Sequence, residues 1–86
     1  MIVTTNDLDE EIKETLRTTM MRKLLRNYGT LPLSTDQDKI TAVISQPAVG
    51  EHLSDVVVKY YENLSAKDVH VDISPADMVQ IYLHRV

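Results

Sequence analysis

Two amphipathic helices packed on a small antiparallel sheet, closed by a C-terminal β-hairpin, form the α+β arrangement that the sequence predicts. Three observations carry this expectation. Apolar residues recur at helical spacing from Leu8 to Leu16 and again from Val49 to Leu64. The stretch Val69–Ile73 alternates apolar and polar side chains with a period of two. A second alternation follows a proline-bearing turn, with Val79, Ile81 and Leu83 on one side and Gln80, Tyr82 and His84 on the other. An all-α four-helix domain is the alternative, because Ser74-Pro75-Ala76-Asp77 also has the form of a helix start.

The chain has 86 residues, which makes a single domain (1–86) with a small core. That core is aliphatic: Phe and Trp are absent, and the aromatics are Tyr28, Tyr60, Tyr61 and Tyr82. A net charge of −4 gives no general electrostatic case for nucleic acid or an anionic membrane. No apolar run approaches the length of a membrane span, and the acidic MIVTTNDLDEE start lacks the basic and apolar regions of a signal peptide. Without cysteine there is no disulfide framework and no zinc–thiolate site.

The first helix opens at Thr5 or Asn6, with Asp7, Asp9, Glu10 and Glu11 placing negative charge at its positive end. It ends near Thr18-Thr19, with MMRKLLRNYG extended, or continues through Met20, Leu24 and Tyr28 to a cap at Gly29. Ser34 and Gln37 resemble a capping box for a short second helix carrying Ile40, Val43 and Ile44, and Pro47 ends it. Val49, Leu53, Val56, Val57, Tyr60 and Leu64 then form one stripe, which Ser65-Ala66-Lys67-Asp68 breaks. The hairpin is preferred for the tail on backbone accounting, since a strand at 69–73 needs a neighbour and the nearest is the segment after the turn.

No constellation of catalytic residues is present. His52, His70 and His84 lack ligand spacing, no serine sits in a nucleophile elbow, and Gly29 and Gly50 are too far apart for a phosphate loop. The sequence therefore predicts no enzyme, no metal and no cofactor. One charge feature stands out: Arg17, Arg22, Lys23 and Arg26 fall within ten positions with no acid among them. They complement a helix C-terminus, or they form a basic face that docks an acidic partner protein or DNA. No recognition-helix pattern or stacking aromatic supports the DNA option.

The order of parts resembles the contractile-tail baseplate wedge family, phage baseplate assembly protein W and its relatives, including TssE of type VI secretion. The residues that carry the resemblance are Thr18 at a helix end, the basic-apolar run Arg22–Arg26, Tyr28-Gly29, the break VISQP at 43–47, and Tyr61-Glu62 closing a helix. The chain departs from the family at Met20-Met21, Arg26-Asn27 and Glu62-Asn63-Leu64, where the family carries a glycine, a proline and a Glu-Pro-Arg signature. The resemblance implies a structural assembly protein of the virion tail baseplate, or of the host cytoplasm during assembly. Such a protein joins baseplate to sheath and initiates the sheath by β-strand augmentation. The implied partners are a sheath protein and the wedge core proteins, with no membrane and no small-molecule substrate. Val79, Ile81, Leu83 and Arg85 would belong to the acceptor strand, while Tyr61, Glu62, Arg22, Lys23 and Arg26 would contact neighbours.

Overall fold

The computed structural model describes residues 1–30, 36–65 and 67–84. It is mostly helical. A two-residue strand β1 (Ile2–Val3) and a 3-10 turn (Thr5–Asp7) lead into the long helix α1 (Glu10–Tyr28). Two further helices follow, α2 (Gln37–Ile44) and α3 (Pro47–Glu62), then strand β2 (His70–Val71) and helix α4 (Pro75–Leu83).

Helix α1 resolves the open question about its length: it runs straight through MMRKLLRNY. Asp9, not Thr5 or Asn6, caps its start by accepting the Ile12 amide at 3.0 Å. Gly29 ends it with φ of 72°, a left-handed conformation that glycine adopts without strain, and its amide bonds to the Leu25 carbonyl. Helix α2 begins two residues after the expected box, capped by Asp36; Ser34 lies outside the described residues. Pro47 ends one helix and occupies the first turn of the next, where its missing amide costs nothing. Of the stripe expected on α3, Val49, Leu53 and Val57 are buried and Tyr61 joins them, whereas Val56 and Tyr60 are half-buried and Leu64 is exposed.

Two expectations are corrected. Among the described residues there is no C-terminal hairpin, and the sheet is parallel: β1 pairs with β2 in the register Ile2 with His70 and Val3 with Val71. The His70 amide donates to the Met1 carbonyl and the Asp72 amide to the Val3 carbonyl, both at 2.9 Å. The strand at 70–71 thus finds its partner at the other end of the chain, and the next segment is free to coil.

That segment is α4. Ser74 caps it by accepting the Asp77 amide at 3.2 Å, and Pro75 presets the first turn. Burial explains why helix prevails over strand. A strand would turn Val79, Ile81 and Leu83 inward and leave Met78 and Tyr82 with Gln80 on the outside. The helix buries Met78, Val79, Ile81 and Tyr82 together and tucks Leu83 partly under. More apolar surface leaves water, and the backbone satisfies most of its own hydrogen bonds.

Helix α4 lies against α1 and α2, α3 packs on α1, and β2 leans on α3. The fully buried side chains Ile12, Leu16, Met20 and Leu24 of α1 line the centre with Ile40 of α2 and Leu53 of α3. One charged residue is buried among them. Arg17 donates from Nε to the Ile81 carbonyl at 2.8 Å and from Nη2 to the His84 carbonyl at 2.6 Å, while Nη1 meets Glu14 Oε2 at 3.1 Å. It closes the C-terminus of α4, whose last carbonyls have no intrahelical donor.

Replacing Arg17 by Met keeps the aliphatic stem but strands the buried Ile81 carbonyl and leaves the part-buried His84 carbonyl to water, so we expect a loss of about 1–3 kcal/mol in urea unfolding. Arg17→Lys should recover little, because one ammonium cannot span both acceptors. A Met variant within about 0.5 kcal/mol of wild type would mean that the cap does not matter.

Candidate functional site

The surface that stands out is the second half of α1. The inner stripe of the helix is fully committed to the core, so its polar residues face outward by default. Arg22 and Arg26, one turn apart, are exposed, and Lys23 is half-buried beside them. Leu25 and Tyr28 are 42% and 39% exposed. Lys39 of α2 places its Nζ 5.7 Å from the centre of the Tyr28 ring, adding a fourth cation to the margin. Lys39 is itself paired with Asp36 at 3.7 Å. By contrast, Arg22, Lys23 and Arg26 form no ion pair with another described residue.

The structure sorts the site residues expected from sequence into four groups. Arg22 and Arg26 share the outer face of α1 with Leu25, while Lys23 lies on one flank of the helix and Tyr28 on the other, beside Lys39; sequence reasoning had assigned Leu25 and Tyr28 to no site. Arg17 leaves the basic face for the interior. Val79 and Ile81 are buried and Leu83 is half-buried within α4, so they form no strand edge, and Arg85 lies outside the described residues. Tyr61 is buried, with its hydroxyl donating to the Asp7 carbonyl, while Glu62 is exposed at the end of α3.

A second grouping joins the start of α1 to the end of α3. The Tyr60 hydroxyl donates to Asp9 Oδ2, and the rings of Tyr60 and Tyr61 meet edge to face at 5.2 Å. The Tyr60 bond, assisted by the Ile12 amide, holds the Asp9 carboxyl below its ordinary value. The same bond pushes the Tyr60 hydroxyl up to about 12. Burial raises Tyr61 as well, with the Asp9 and Asp7 charges adding to it. The Asp9–Tyr60 pair acts as a clamp between the start of α1 and the end of α3.

Shallow depressions also mark the described surface. One, about 380 Å³, has Ile44, Leu53, Ile73 and Met78 on its floor and Glu51 and Asp55 on its rim. Another, about 460 Å³, runs along the outer face of α1 between Glu11 and Arg22. Among the described residues no three His, Asp or Glu side chains are grouped to hold a metal ion. No described helix is long and apolar enough to cross a membrane. No family model matches the chain, and neither the curated proteins nor the solved structures searched include a match.

The Asp9–Tyr60 clamp has a definite pH signature. Because the folded carboxyl is held low, its contribution is complete above the ordinary aspartate range and is lost as pH falls through the lowered value. The tyrosine contribution is complete below about 10 and is lost as pH rises toward 12. Tyr60→Phe should therefore move the Asp9 carboxyl titration, followed by NMR, upward toward 3.8. An unmoved titration would show that the hydroxyl does not set it.

Proposed function

We propose that the chain is a non-enzymatic protein-docking module that binds an acidic, apolar partner surface through the second half of α1. The observation that carries this reading is exposed Leu25 beside Arg22 and Arg26 on the outer face of α1, flanked by Lys23 on one side and Tyr28 on the other, with Arg22, Lys23 and Arg26 having no ion-pair partner among the described residues. Exposed arginine and tyrosine beside apolar area is the composition of contact surfaces, and three unpaired cations select an acidic counterpart. A protein partner fits better than DNA. The cations occupy barely more than one helical turn, a short footprint beside the long phosphate-spaced track of a DNA-binding face, and the chain as a whole is acidic.

An amphipathic Glu/Leu peptide is a suitable probe. Its titration should perturb the NMR signals of Leu25, Arg26 and Tyr28 first, and about 0.5 M salt should weaken the effect. The triple reversal Arg22→Glu, Lys23→Glu and Arg26→Glu should abolish it. Perturbations scattered over the molecule, or surviving the reversal, would dispose of the reading.

A second reading keeps the assembly role implied by the baseplate wedge resemblance, with strand addition moved to the other end of the chain. The two bonds from β2 bracket Ile2, so parallel alternation turns its own amide and carbonyl toward the outer edge of the sheet. The Ile2 side chain is 65% exposed there. An incoming strand could pair along that edge. The expected result is co-purification with a sheath subunit that Ile2→Pro abolishes while the fold is retained. Co-purification indifferent to that change would remove the edge from the mechanism.

A further inference from the structure

We infer that the acidic partner of the α1 surface is a second copy of the same chain, bound through an antiparallel pairing of the two α1 helices. This rests on the docking reading above and names the occupant, whose acidic first turns meet Arg22, Leu25 and Arg26, while Lys23 and Tyr28 lie on the flanks outside the seam. The outward residues Glu11, Thr15, Thr18, Arg22 and Leu25 follow one another at alternating steps of four and three, the spacing that keeps a straight seam on a helix. All of them are exposed or half-exposed, and the elements packed on α1 cover the opposite stripe of Ile12, Leu16, Met20 and Leu24.

Charge on this helix is segregated by end. Glu10, Glu11 and Glu14 occupy its first turns, where Lys13 is paired with Glu10, and Arg22, Lys23 and Arg26 its last, with only Thr18, Thr19, Met20 and Met21 between Arg17 and Arg22. A two-fold axis near Thr18 brings Glu11 of one copy against Arg26 of the other, and Glu14 against Arg22, each twice by symmetry. A parallel pairing would set like on like. The face is thus complementary to itself in one orientation and repulsive in the other.

The middle of the seam can be covered at low cost. Thr15, Thr18 and Thr19 already donate their hydroxyls to carbonyls one turn back, at 3.0, 3.0 and 2.9 Å, so a neighbour strips no donor of water. Their small side chains leave the shallow depression of about 460 Å³ that an opposing helix can enter. Two faces of this length bury less than the ~1,200 Å² typical of stable complexes, so the dimer is weak, reversible and sensitive to salt.

A charge swap tests the register on the intact chain. Sedimentation velocity from about 20 μM to about 1 mM in low salt should show the mass rise from 9.8 kDa toward twice that value, and about 1 M salt should reverse it. Glu11→Lys and Arg26→Glu each turn two attractions into two repulsions and should weaken self-association about tenfold. Both sites are exposed, and unchanged circular dichroism and melting will exclude unfolding. An equimolar mixture of the two variants restores both attractions and should dimerise like wild type.

A mass that stays monomeric at every concentration overturns the second-copy assignment. If the Glu/Leu peptide still perturbs Leu25 and Tyr28, the docking reading survives that result; if the peptide response is also missing, both fall. Self-association that either variant leaves unchanged, or that the mixture fails to restore, overturns the antiparallel α1 pairing.

Discussion

One guanidinium group holds the end of the chain in place. Helix α4 has nine residues, too few to be stable alone in water, and its C-terminal carbonyls point toward the middle of α1. Arg17 meets two of them with a fork that no other side chain offers, and its charge is balanced at the rim by Glu14, whose side chain is 71% exposed. Burying a charge is tolerable here because every contact it makes is with an acceptor. Through this one residue the first helix caps the last, whose helical form follows from the burial of Met78, Val79, Ile81 and Tyr82.

That constraint reshapes the functional question. Val79–Leu83, consumed by the core, offer no strand edge, and among the described residues the large exposed apolar side chains lie on α1 at Leu25 and Tyr28, at Met1 and Ile2 by β1, and beyond α3 at Leu64. The charges on α1 have an ordinary structural cause: acids favour the positive end of a helix and bases the negative end. The same segregation makes the outer face of any such helix complementary to its own reverse. On a helix whose outer face is covered by other elements this has no consequence. Here the outer face is bare, and the electrostatics that stabilise the helix also select its partner.

Much of the fold is legible in the residues, and the failures have definite causes. The helices around Leu8–Leu16 and Val49–Val57 follow from their apolar stripes, and the Ser74 cap is as good a signal as it looks. Backbone accounting misled at 69–73 because it sought the nearest partner. The true partner, Ile2–Val3, is only two residues long, and its β-branched side chains were the available clue. Arg17 was grouped with Arg22, Lys23 and Arg26 by proximity in sequence. Helical geometry separates them: Arg17 lies seven residues before Leu24, on the edge of the buried stripe, whereas Arg22 and Arg26 lie on the far side. The partial exposure of Leu25 follows from its place opposite the buried stripe, whereas that of Tyr28 depends on packing that the apolar pattern does not give.

The long helix serves two geometries at once. Its inner residues Ile12, Leu16, Met20 and Leu24 recur every four positions, so each step advances about 40° around the axis and the buried face turns through about 120° along its length. One helix can therefore reach three others in succession. Asp9 meets Tyr60 of α3 near the start, Arg17 meets α4 at the middle, and Tyr28 meets Lys39 of α2 at the end. The outer residues at alternating fours and threes advance by only about 20° per seven positions in the opposite sense, and so stay nearly straight. A spiralling inner face suits a core assembled from short elements set at different angles, and a straight outer face suits a single rigid neighbour of the same kind. Both follow from where the leucines, threonines and charges fall along these nineteen residues, and neither requires any other part of the chain to change.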